Sequence, residues 1–75
     1  MLTIGSLART SVENVALLSR SHTLAFDAII DILDVDTLLL VIARQPRDDN
    51  RHLVLVLTSE YSVGWVFDDV IKELR

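Results

Sequence analysis

The amino-acid sequence predicts an α+β protein in the order ααββα: two N-terminal helices, an antiparallel β-hairpin and a C-terminal amphipathic helix. Three features lead to it. Thr10-Ser11-Val12-Glu13 has the form of a helix capping box. Two apolar runs, Thr37–Arg44 and His52–Thr58, flank a turn-rich segment. Val63, Val66, Phe67, Val70, Ile71 and Leu74 recur at helical spacing. The 75 residues are 51% hydrophobic, with no Cys and a formal net charge of −4. This predicts one domain, residues 1–75, with one small core and neither disulfides nor a thiolate zinc site.

The first helix is expected over Ser11–Arg20, with Thr10 as cap, Glu13 at the third helical position, and Val12, Val15, Ala16 and Leu18 on one stripe. The stripe is short, because Ser19 interrupts it. The second is expected over Leu24–Leu33, after the polar caps Ser21, His22 and Thr23. Leu24, Phe26, Ala28, Ile30 and Ile32 also alternate at period two, as in a strand. Helix is preferred because Ala and Asp are depleted in strands. Asp27, Asp31 and Asp34 would then share one flank.

Thr37–Arg44 and His52–Thr58 read as strands joined by Gln45-Pro46-Arg47-Asp48-Asp49-Asn50-Arg51, where Pro, Asp and Asn favour a turn. Alternation puts Leu38, Leu40 and Ile42 on one face and Leu39, Val41 and Ala43 on the other. The second strand divides into Leu53, Leu55 and Leu57 against Val54 and Val56. Both faces of both strands are apolar, the pattern of a sheet covered on two sides.

The last helix is expected over Glu60–Leu74, despite Gly64 inside it, which costs about 1 kcal/mol relative to Ala. Tyr61, Val63, Trp65 and Phe67 also alternate as a strand would. If residues 24–33 and 61–67 are both strands, the chain reads as a small all-β barrel. In that reading Gly64-Trp65-Val66 resembles the late strand of bacterial SH3-like domains, a likeness of three residues that implies a binding module.

A lone two-stranded hairpin has two open edges and marginal stability. The sequence therefore predicts a homodimer, joined by edge pairing that completes a four-stranded sheet or by packing of helices, with Leu38, Leu40, Ile42, Leu53, Leu55 and Leu57 at its interface. Tyr61 and Trp65 lie opposite the apolar stripe of the last helix, flanked by Asp68 and Lys72. These four residues are the candidate surface for a protein partner, since Trp and Tyr are enriched at interface hot spots.

No catalytic constellation is legible. His22 and His52 lack a matched ligand or nucleophile at defined spacing, and no phosphate-binding or nucleophile-elbow motif occurs. Asp27, Asp31, Asp34 and Asp36, and again Asp68, Asp69 and Glu73, could offer oxygen to a hard cation, but neither group has EF-hand spacing. A solvated flank and solubilising charge are the simpler accounts. No cofactor or metal is expected.

Arg44, Arg47 and Arg51 cluster around the hairpin loop. Two helices followed by such a hairpin resemble a winged-helix layout, in which the wing touches phosphate. The acidic flank of the preceding helix and Asp48 and Asp49 in the loop oppose it. Residues 1–6 predict no secretory signal, and the apolar run Leu38–Ala43 is too short for a bilayer, which needs about 20 residues. The expectation is a cytoplasmic, non-catalytic protein-interaction module, an adaptor or an inhibitor that occupies a partner's surface. It is homodimeric, with a partner that offers a basic surface. A winged-helix-like DNA-binding regulator is the alternative.

Overall fold

A computed structural model describes residues 2–19, 28–46 and 52–74. Its elements are strands: β1 (Leu7–Thr10), β2 (Val15–Leu18), β3 (Ile29–Leu33), β4 (Leu38–Pro46), β5 (His52–Thr58), β6 (Val63–Phe67) and β7 (Ile71–Glu73). A 3-10 turn, Asp68–Val70, separates β6 from β7. The strands make one antiparallel sheet in the order β3-β2-β6-β5-β4-β1-β7.

The fold corrects the expected α+β class: the described residues contain no α-helix. Where the first helix was expected, Ser11–Asn14 is a bend between β1 and β2. Asn14 has φ of 57°, a left-handed conformation that Asn tolerates better than most residues. The Thr-x-x-Glu pattern therefore serves a polar loop, and Val12 is exposed. β2 follows as Val-Ala-Leu-Leu, with three of its four side chains buried. The second expected helix is β3 over residues 29–33, with 24–27 outside the described residues. The scarcity of Asp in strands misleads here because β3 lies at the sheet edge, where charge is common.

The C-terminal helix is replaced by a turn, β6, the 3-10 turn and β7. Gly64 explains why. It is buried where β6 crosses β2, and a Cβ placed on it would lie 2.7 Å from Leu17 Cγ and 2.9 Å from the Leu18 carbonyl oxygen. A residue that looked like a flaw in a helix is a close approach in a sheet. Only the two hairpin strands are found near their expected ranges, as β4 and β5. Neither is an edge: β4 lies between β1 and β5, and β5 between β4 and β6, so the open hairpin edges behind the expected edge-paired dimer are filled by the chain's own strands.

One face of the sheet carries the core. Ala8, Val15, Leu17, Leu33, Leu39, Val41, Val54, Val56, Val66 and Ile71 form a single buried cluster with Leu2. The cluster includes residues of both edge strands, Leu33 and Ile71, as in a sheet rolled around its own interior. The cross-strand rows agree, with Val41 opposite Val56 and Val56 opposite Gly64. No helix lies over the other face among the described residues, although Leu18 and Leu53 on that face are buried.

The first and last strands close the structure. β1 pairs with β7 through Ala8↔Glu73, Arg9↔Lys72 and Thr10↔Ile71, reinforced by a hydrogen bond from Leu74 N to Leu7 O at 2.9 Å. Thr10 is buried and its hydroxyl is fully used. It donates to the Asp34 carbonyl at 2.5 Å and accepts from the Thr37 N–H at 2.9 Å. That ties β1 to the turn between β3 and β4.

Candidate outer-sheet interface

Residues directly opposite on neighbouring antiparallel strands share a face. Leu7 of β1 faces Leu40 of β4, Leu40 faces Leu57 of β5, and Leu57 faces Val63 of β6. These four apolar side chains form one unbroken row across the outside of four strands. Its two ends, Leu7 and Val63, are each 49% exposed, and Leu40 and Leu57 are half-buried. Beside the row is a shallow depression of about 140 Å³, lined largely by Leu7, Leu38, Leu39, Leu40 and Leu57. Leu38 is exposed at its rim.

The next row contains Ala43, Leu55, Trp65 and Leu18. Leu55 and Trp65 are half-buried and Leu18 is buried. A third pairs Gln45 with Leu53 and Leu53 with Phe67. The register shifts between Val41 and Ala43, which makes Ile42 the extra residue of a β-bulge and moves Ala43 onto the face of Leu40. Strict alternation without the bulge would put Ile42 on that face.

Of the expected dimer residues, the structure gathers Leu40, Leu55 and Leu57 on the outer face, while Leu38 and Ile42 are exposed beside them. Leu53 is fully buried and offers no surface. The expected partner-binding ridge is dispersed, because it required a helix. Trp65 lies in the middle of β6, Asp68 in the 3-10 turn and Lys72 on β7, opposite Arg9. Tyr61 sits in the turn between β5 and β6.

That turn is the locally strained part of the face. Thr58 N donates to Ser62 O at 2.8 Å, Tyr61 N donates to Thr58 O at 3.0 Å, and Ser62 N donates to Thr58 Oγ1 at 3.2 Å. The residue at Tyr61 must adopt a positive φ, here 64°. Gly or Asn normally fills such a position, and a bulky side chain there is an outlier. The tyrosine ring is not recovering that strain by packing, since the residue is 88% exposed. A helical wheel places Tyr61 beside Trp65, whereas its positive φ cannot be read from the residues around it.

The remaining candidate chemistry is sparse. Among the described residues no group of three or more His, Asp or Glu side chains is arranged to hold a metal ion. His52 is exposed at the start of β5, and His22 lies outside the described residues. Arg44 is exposed on β4, while Arg47 and Arg51 lie outside the described residues. The two helices that suggested a winged-helix layout are not present: residues 15–18 and 29–33 are strands. No helix among the described residues is long and apolar enough to cross a membrane. Comparison with family models, with characterised proteins and with solved structures finds no match to the chain.

Proposed function

We propose that the protein is a non-catalytic, cytoplasmic protein-interaction module that associates with a second copy through the outer face of its sheet. The observation that carries this reading is the row Leu7, Leu40, Leu57 and Val63, which stays partly open to water across four strands. Contiguous exposed apolar surface marks an interaction site more often than scattered apolar residues do. Tyr61 supports it, because a strained and exposed aromatic residue contributes nothing to its own fold. The likeness of Gly64-Trp65-Val66 to bacterial SH3-like domains also favours a binding module, with those residues in β6, the last strand but one. A net charge of −4 makes a basic surface the complementary choice for any heterologous partner.

Multi-angle light scattering behind a sizing column tests the reading. The wild type is expected at twice 8.4 kDa, and the double variant Leu57→Lys/Val63→Lys at the monomer mass with an unchanged β-sheet circular dichroism spectrum. A monomeric wild type at micromolar concentration rejects the dimer.

A further inference from the structure

The sheet has two edges, and they are unlike. β7 is three residues long and carries exposed Lys72, both common ways of protecting an edge. β3 is longer, Ile29-Ile30-Asp31-Ile32-Leu33, and among the described residues it pairs only with β2. Ile30 and Ile32 are 50% and 49% exposed there. The Ile32 N–H is bonded to the Asp31 carboxylate at 2.8 Å. That N–H donates to a side chain of its own strand.

A cleft of about 220 Å³ borders this edge, between β3 and the turn that follows β5. Asp31, Asp34 and Glu60 contribute to its walls together with the hydroxyl-bearing Thr37 and Ser59. All three carboxylates are exposed. Lys and Arg are absent from the lining.

We propose that β3 is a docking edge for an extended basic peptide segment, which adds an eighth strand to the sheet and places a Lys or Arg side chain in the acidic cleft. Strand addition draws affinity from main-chain hydrogen bonds and specificity from alternate side chains. A segment alternating apolar and basic residues matches both features of β3. Its apolar residues cover Ile30 and Ile32, and its cation meets Asp31. The Asp31 carboxylate supplies the discrimination. A neutral or acidic strand competing for the Ile32 N–H displaces a carboxylate and leaves it unpaired, whereas a basic strand pairs it. Self-pairing of two β3 strands is disfavoured by the same group, since a two-fold centred on Asp31 sets like charges opposite one another.

The probes are two capped peptides, one alternating valine and lysine and one alternating valine and glutamate, titrated into the ¹⁵N-labelled full chain. The valine–lysine peptide is expected to saturate, to shift the amide signals of Ile30 through Asp34 and of Glu60, and to slow hydrogen exchange at Ile32 by about tenfold or more. The valine–glutamate peptide is expected to bind at least about tenfold more weakly. Asp31→Asn/Glu60→Gln lowers affinity for the valine–lysine peptide by a similar factor and flattens its salt dependence. Leu57→Lys/Val63→Lys leaves that affinity unchanged, which separates this edge from the outer face. Equal binding of the two peptides, shifts confined to β7 or the outer face, or no saturation by the lysine peptide each overturns the proposal. So does a peptide-free chain whose β3 signals alone broaden with concentration, which would assign the edge to a second copy.

Discussion

Tyr61 shows how a single residue can work against its own fold. A left-handed conformation costs a residue with a Cβ roughly 1–2 kcal/mol, and nothing at this 88%-exposed position returns it. Tyr61→Gly removes that strain but adds about 0.5–1 kcal/mol of unfolded-chain entropy. The expected net gain is about 0.5–1 kcal/mol, read as a higher denaturation midpoint at unchanged m-value. An unchanged or lower midpoint would show that the ring contributes to the folded state. Thr10 is the opposite case, a buried hydroxyl with both hydrogen bonds made. Thr10→Val keeps its shape but leaves the Thr37 N–H and the Asp34 carbonyl without that partner. The expected loss is about 1–3 kcal/mol by chemical denaturation. The exposed ion pair between Arg9 and Asp36 in the same region is worth at most about 1 kcal/mol and does not replace it.

Among the elements, β6 is the most constrained. Gly64→Ala would push a methyl group into Leu17 and into the Leu18 backbone, and backbone cannot turn aside as a flexible side-chain tip can. A loss of about 1–3 kcal/mol is expected, and a destabilisation under 0.5 kcal/mol would mean that β2 and β6 separate at little cost. This contact also explains what could be read from the sequence and what could not. The runs 37–44 and 52–58 are apolar, β-branched and bounded by turn residues, so they read as strands from local pattern alone. Residues 63–67 alternate equally well, but the helical stripe through Val70 and Leu74 outweighed them. That stripe is real in spacing and meaningless in space, because Asp68–Val70 turns the chain between two strands. At 29–33 the ambiguity was intrinsic, since Asp is tolerated at an edge and the edge is defined only by the completed sheet. The outer row could not be seen either: it joins four strands, and the bulge at Ile42 alters which β4 residues reach that face.

At the scale of the whole molecule, the chain exposes 4847 Å². A folded monomer of this mass is expected to expose about 4,600 Å². The total is ordinary, so the case for association rests on where the apolar residues lie and not on how much area remains. The roll of the sheet has a second consequence, which concerns time. β1 finds one neighbour in β4, but its other side waits for β7, at the far end of the sequence. Pairings between distant segments carry a loop-closure cost and form slowly. β7 is the shortest strand, and Ile71 is its buried anchor. Ile71→Ala should cost about 2–5 kcal/mol, and stopped-flow kinetics should show most of that loss as faster unfolding, with refolding nearly unaltered. A comparable slowing of refolding would put β7 in the rate-limiting nucleus. With β7 joining last, a half-made chain emerging from the ribosome holds one flank of β1 bare until translation has passed Glu73.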